Sequence, residues 1–182
     1  MGRRPLGLSH PKLQSHTVDF ATLPPLPAVD DVFIALGTTI KVAGSQSAFR
    51  AVDLDAVLAV ASAARASGAT RLGVVSAMGA NPRSPVFYNR IKGEMEQAVL
   101  GLGFAGVVIA RPSMLTGDRE SLQQAARPAE RLIQSFMRLI QPLTPANLRA
   151  ISASDVARSL IEAVKTRGPG VHILPSGDLQ RH

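Results

Sequence analysis

The sequence predicts an α/β domain built on a parallel sheet. Three observations carry that prediction: short apolar runs alternate with helical stretches, the connections between them are brief, and Gly or Pro punctuates most junctions. With 182 residues and 46% hydrophobic content, the chain is long enough for one domain, 1–182, with a full core. Aromatic residues make up only 4%, so that core must come mostly from Ala, Val, Leu and Ile.

Residues 32–36 (VFIAL) are wholly apolar and stop at Gly37, as a buried strand does. Residues 47–67 form an Ala-rich segment with Phe49, Val52, Leu58 and Ala61 at helical spacing, closed by Gly68. Residues 72–76 read as a second buried strand. Asn81-Pro82-Arg83-Ser84-Pro85 then makes a turn and starts a helix, with Ser84 as N-cap and Pro85 at the first helical position, running to about Leu102. Residues 106–110 are a third strand, broken by Arg111-Pro112. A helical stretch over 120–140 ends at Pro142 and Pro145, Ser154 can cap a helix through Lys165, and 171–174 is a last short strand.

Composition narrows the chemistry. The absence of cysteine removes disulfides, thiolate catalysis and sulfur-ligated metals, and the four histidines lie far apart with no ligand spacing, so no metal site is expected. The net charge is +7, with sixteen Arg to four Lys, but the positives are spread along the chain. Their modest concentration over 119–149 is interrupted by Glu120 and Glu130, and one Tyr without Trp offers little base stacking. Nucleic acid is therefore not an expected partner, whereas an anionic cofactor suits the same charge. The Arg-, Ala- and Pro-rich composition points to a GC-rich bacterial genome. No apolar core follows the arginines of the N-terminus, Leu6 stands where a myristoylation signal wants Ser or Thr, and no run approaches the roughly 18 residues of a membrane span. A soluble, cytoplasmic protein with no membrane partner is the expectation.

In a parallel α/β sheet, ligands bind beyond the carboxyl ends of the strands. Gly37-Thr38-Thr39 follows the first strand there, Ser76 ends the second, and Arg111-Pro112-Ser113 follows the third. Tyr88, the only tyrosine, and Lys92 lie four residues apart on one helical face. That spacing is also an ordinary surface pairing. The strand-terminal Ser76, twelve residues ahead of Tyr88, and the Pro-started helix turn the reading toward catalysis. The Gly37 loop reads either as a strand-ending turn or as backbone that a cofactor approaches. A free phenol has a pKa near 10, and an ammonium one helical turn away is expected to lower it.

Ser76 followed by Tyr88-Asn89-Arg90-Ile91-Lys92 resembles the Ser…YxxxK signature of short-chain dehydrogenases and reductases. LGTT at 36–39, VDLD at 52–55, VVSAMGA at 74–80, YNRIKGEMEQ at 88–97 and GFAGVVIARPSML at 103–115 resemble the atypical branch related to the Tat-interacting-protein and NmrA-like families, over residues 30–165. The resemblance implies a Rossmann-like, doubly wound sheet and hydride transfer between NADP(H), favoured over NAD(H), and a small carbonyl or alcohol. It makes Tyr88 the general acid/base, Ser76 the holder of the substrate oxygen and Lys92 the holder of the nicotinamide ribose. It adds Gly37, Thr38, Thr39, Arg111, Pro112 and Ser113 to the cofactor contacts, Ser113 standing where the family has Gly. Two other readings are a non-catalytic NADP-binding regulatory or interaction module and an inactive fragment, although a sensor has no need of a proton donor. Asp155 is expected to support a helix N-terminus. Residues 117–148 should cover the substrate, with Leu132, Phe136, Met137 and Leu139 as its lining or as ordinary helix core.

A G-x-G-x-x-G match, Gly101 to Gly106, follows a helix and opens a strand, the reverse of what a phosphate loop requires. It reads as a helix cap and a tight turn. By resemblance, Gly2-Arg3-Arg4-Pro5-Leu6 is the tail of the family's second strand, where Arg3 and Arg4 would meet the 2′-phosphate of NADP. His16-Thr17-Val18-Asp19-Phe20 resembles the third strand, with Asp19 and Phe20 near the adenine. The first strand, glycine loop and first helix, a unit of roughly 30 residues, are then expected to be absent. That loss leaves residues 32–36 as an open apolar edge, which predicts poor folding or pairing through that edge, as in a homodimer. A monodisperse monomer in size-exclusion chromatography that melts cooperatively contradicts this expectation.

Overall fold

The computed structural model describes residues 1–116 and 145–180. In chain order its elements are β1 (Asp31–Ile34), α1 (Ile40–Ala43), α2 (Gln46–Arg50), a π-helical turn (Ala51–Asp55), α3 (Ala56–Ala66), β2 (Arg71–Val75), α4 (Phe87–Leu100), β3 (Gly106–Arg111), β4 (Leu115–Thr116), β5 (Ile151–Ser152), α5 (Ala153–Thr166) and β6 (Gly170–Pro175). β1, β2, β3 and β6 form one parallel sheet in that order, and β4 pairs with β5 separately. The helix expected over 120–140 and the expected pocket lining lie outside the described residues.

Apolar residues alternate across the sheet and fill a core on each face. Val107 and Ile109 of β3 join Leu72, Val74, Val57, Met95 and Val99 on the side of α3 and α4. Val108 and Ala110 join Val156, Leu160, Val164 and Leu174 on the side of α5. Gly73 lets α5 lie close to the sheet: a Cβ there would sit 2.9 Å from Phe33 Cδ1 and 3.0 Å from Val164 Cγ2. Arg71 and Asp31 face each other in register and form a two-point ion pair, Nε to Oδ1 at 2.5 Å and Nη2 to Oδ2 at 3.0 Å.

The four strands predicted from apolar runs form, shifted by a residue or two at their ends, whereas the two expected by resemblance at 2–6 and 16–20 are reduced to a single bridge. Helix starts differ more. α4 begins at Phe87 rather than Pro85, because the Ser84 hydroxyl accepts from the Val86 N–H in a local turn and the first helical bond runs from Arg90 N–H to Val86 O. α5 is capped by Ser152, not Ser154. Ser152 Oγ accepts from the Asp155 N–H at 3.1 Å and donates to its carboxylate at 2.7 Å, a reciprocal box at the first turn. The segment expected as one helix over 47–67 is helical without a gap from Gln46 to Ala66, with the π turn joining α2 to α3.

Gly103 has φ +74 and Gly106 opens β3, so the glycine triplet is a turn into a strand. Gly2 and Thr17 make one parallel bridge, with Gly2 N–H on His16 O and Val18 N–H on Gly2 O. Among the described residues, β1 is an edge of the sheet, and Phe33 on it is exposed.

Gly93, at the middle of α4, packs on the turn before the helix, and a Cβ there would fall 2.2 Å from Pro82 N and 2.3 Å from Asn81 C. Backbone cannot yield as a side-chain tip does. Gly93→Ala should therefore destabilise the protein by about 2 kcal/mol or more, read as a lower urea midpoint. An unchanged midpoint contradicts this packing.

Candidate active site

Three segments at the carboxyl edge of the sheet meet at one carboxylate. Asp53, in the π turn, is fully buried. Its Oδ1 lies 2.7 Å from Lys92 Nζ, itself 4% exposed on α4. Its Oδ2 accepts the Thr38 N–H at 2.8 Å, in the loop after β1. A Cβ on Gly37 would sit 3.5 Å from Asp53 Oδ1 and 3.9 Å from Lys92 Nζ, so this loop passes over the ion pair. The π turn contributes to the geometry, since it adds a residue to the helical path where Asp53 turns inward.

Ser76 follows β2, and its N–H donates to Ala110 O at 2.8 Å, extending the ladder by one residue. Its side chain is 4% exposed, and its Oγ has no hydrogen-bond partner among the described residues. A buried hydroxyl without a partner costs free energy that a ligand oxygen would offset.

Tyr88 is partly exposed, and its ring lies 5.6 Å from that of buried Phe49, tilted by 55°. Burial first, and the negative charge of Asp53 second, push its phenol above the ordinary value of 10.0. The expectation that Lys92 lowers this value is thus reversed. The ammonium is engaged by Asp53, and the phenol feels the carboxylate.

The remaining predicted residues are placed as follows. Arg111 grips the buried Glu96 of α4 at two points, Nε to Oε1 at 3.0 Å and Nη2 to Oε2 at 2.5 Å. These hydrogen bonds hold its guanidinium above its usual range, against the opposing effect of burial. Pro112 is buried and its carbonyl accepts from the Met78 N–H at 2.9 Å. Ser113 Oγ donates to Arg149 O and accepts from Ser176 Oγ, which ties this loop to the segments beside β5 and β6. Thr39 caps α1 by accepting from the Val42 N–H, and Thr38 Oγ1 reaches Thr39 O. Arg3 and Arg4 are exposed beside the Gly2–Thr17 bridge. Asp19 accepts from the Ala21 N–H in a local turn, and Phe20 packs on the first core.

The structure therefore gathers Gly37, Thr38 and Lys92 around Asp53, a residue that sequence reasoning passed over. A signal existed. Phe49, Asp53, Val57, Val60, Ala61 and Ala64 are all buried and recur at helical spacing, so Asp53 stands in an otherwise apolar stripe.

The parallel sheet with helices on both faces is a Rossmann-like fold. Two solved structures share it. "MoeE5 in complex with UDP-glucose and NAD" matches with a TM-score of 0.67 and 19% identity, over 94% of this chain and 64% of that one. "RMD from Pseudomonas aeruginosa complexed with NADPH" matches with a TM-score of 0.54 and 18% identity, over 82% of this chain and 62% of that one. No protein-family model matches the chain. Among curated proteins, "Protein HTATIP2" of Rattus norvegicus is 32% identical over 177 residues, covering 93% of this chain and 71% of that protein. "Protein fmp52, mitochondrial" of Emericella nidulans is 40% identical over 119 residues, covering 65% of this chain and 48% of that protein. The chain thus spans about half the length of the first FMP52 relatives it matches. It belongs to the HTATIP2/FMP52 family, the Tat-interacting-protein branch of the atypical short-chain dehydrogenases.

These relatives overturn the cytoplasmic expectation, since the FMP52 proteins are named as mitochondrial. Neither a secretion signal nor a membrane-length apolar run bears on residence in an organelle. Among the described residues no helix is long and apolar enough to cross a membrane. The relatives named here are fungal and mammalian, so they lend nothing to a bacterial origin inferred from Arg content.

The raised phenol has a consequence for stability. Tyr88 stays protonated in the folded chain at a pH where the unfolded chain, with a pKa near 10, has lost its proton. Its contribution is complete below about pH 10 and is lost as pH rises through the folded-state value. Tyr88→Phe should remove this alkaline loss, read by comparing urea midpoints of the two proteins from neutral pH upward. Parallel profiles for both proteins contradict the assignment.

Proposed function

We propose that this chain carries the catalytic portion of an NAD(P)-dependent oxidoreductase that acts on a small carbonyl or alcohol. The observation that carries this reading is the buried Ser76 hydroxyl, unpartnered at the carboxyl edge of β2, where α/β sheets place ligands. The residues present fit a nicotinamide nucleotide. The Gly37–Thr38 backbone would lie beside it, Tyr88 and Lys92 would hold its ribose, and Arg3 and Arg4 would favour a 2′-phosphate, hence NADP(H) over NAD(H). Thr39, Arg111, Pro112, Ser113, Asp19 and Phe20 complete the proposed contacts. A bound nicotinamide supplies or accepts the hydride.

The chain's own residues orient the substrate and move the proton. Ser76 Oγ donates to the substrate oxygen and aligns it. Tyr88 is protonated at neutral pH, as an ordinary phenol is, and its upward shift keeps it so to higher pH, so it serves as the general acid that delivers a proton to a carbonyl oxygen. The reverse reaction needs the phenolate and should gain rate as pH rises.

A second reading, a nucleotide-binding module without turnover, draws on the hold of Asp53 on Lys92, which keeps the ammonium from its usual partners. The names of the FMP52 relatives also support mitochondrial residence for this chain.

The chain has no Trp, so NADPH fluorescence can be titrated against it with little protein background. Binding accompanied by turnover of a panel of small aldehydes and ketones is expected. Tyr88→Phe should cut turnover by about 10²–10⁴-fold, far more than it weakens binding through the lost ribose contact. Binding without turnover would favour the module, and no binding of NADPH or NADH contradicts both readings.

A further inference from the structure

Asp53 touches neither the substrate position assigned to Ser76 nor the phenol, yet it holds two parts of the site at once. Its two oxygens face different elements, Oδ1 the Lys92 ammonium on α4 and Oδ2 the Thr38 N–H in the loop after β1. Both side chains of the pair are at most 5% exposed, so water does not compete for either contact. Gly37 leaves no side chain between the loop and the pair.

We propose that Asp53 is a positioning residue that clamps the Gly37–Thr38 loop and the Lys92 ammonium into one unit beside the helix face that carries Tyr88. This deepens the oxidoreductase reading and rests on it for its catalytic meaning, although the clamp itself is independent of any cofactor. In the free chain the ammonium neutralises Asp53 and stays with it. Lys92 can serve a ribose only along the direction this carboxylate leaves open, so the loop and the ammonium reach a cofactor together.

The other charged groups on the neighbouring elements have places of their own. Arg50 of α2 pairs with Glu94 at 2.5 Å, and Glu96 is held by Arg111. Arg90 donates to Ser84 O and lies over the Phe87 ring, and Asp55 at the end of the π turn is exposed. Of the buried charges on these elements, Glu96 is paired with Arg111, and Asp53 and Lys92 pair with each other.

The test uses the fact that Tyr88 is the only tyrosine, so near-ultraviolet phenolate absorbance follows its ionisation alone, with no cofactor present. Asp53→Asn keeps the shape and removes the charge. The Tyr88 midpoint should fall, through loss of the carboxylate that adds to the larger effect of burial. Thr38 amide hydrogen exchange should speed up at the same time. If the lone buried ammonium prevents this variant from folding, the double variant Asp53→Asn, Lys92→Met carries no unpaired charge, and its midpoint should also lie below that of the native chain. An unchanged midpoint in a folded variant overturns the proposal, as does an unchanged Thr38 exchange rate in Asp53→Asn. NADPH titration of the native chain is a separate arm. Its failure would remove the oxidoreductase reading and leave the clamp result standing.

Discussion

A carboxylate and an ammonium withdrawn from water side by side constrain everything around this site. Each ion loses hydration worth several kcal/mol, and contact between the two offsets that cost only when the remaining lone pairs find donors. Asp53 Oδ2 meets that condition on the Thr38 N–H, while Oδ1 faces the Lys92 ammonium at 2.7 Å as an ion pair without a well-aligned hydrogen bond. The π turn, the loop after β1 and α4 are consequently fixed to one point. Gly37 lies beside the same pair, where an added Cβ would be 3.5 Å from Asp53 Oδ1, in ordinary contact.

Helix α4 is held at other points as well. Gly93 seats it on the Asn81–Pro82 backbone, and Glu96 anchors it to Arg111 at the end of β3. Tyr88 and Lys92 thus stand on an element whose position is determined by packing and by charge together. Residues carried on such a helix hold their geometry better than residues on a free loop. The Arg111 side chain, which the family resemblance assigns to the cofactor, is part of this scaffold in the free chain.

The strands were legible because buried parallel strands are continuous apolar runs, and residues 32–36, 72–76 and 106–110 stand out against their Gly and Pro borders. Helix starts were less so. Ser84 and Ser154 each look like caps, but a local turn takes the first and the Ser152–Asp155 box displaces the second. The positions of Ser76, Tyr88 and Lys92 could be read from spacing, whereas the partner of Lys92 could not. Helical periodicity pairs neighbours within one element, and the pairing of Lys92 with Asp53 crosses between two. The direction of the Tyr88 shift was not legible either: spacing shows neither the burial that chiefly raises the phenol nor the Asp53 charge that adds to it.

The strength of the Asp53–Lys92 contact holds this site together, and a double-mutant cycle on stability measures it directly. Asp53→Asn, Lys92→Met and the double variant would be unfolded in urea beside the native chain. Each single variant leaves one buried charge unpaired and should lose about 3–5 kcal/mol, with the double variant recovering much of that loss. A coupling energy of about 2 kcal/mol or more is the predicted result. Single-variant losses that add to within about 0.5 kcal/mol of the double-variant loss would contradict the account.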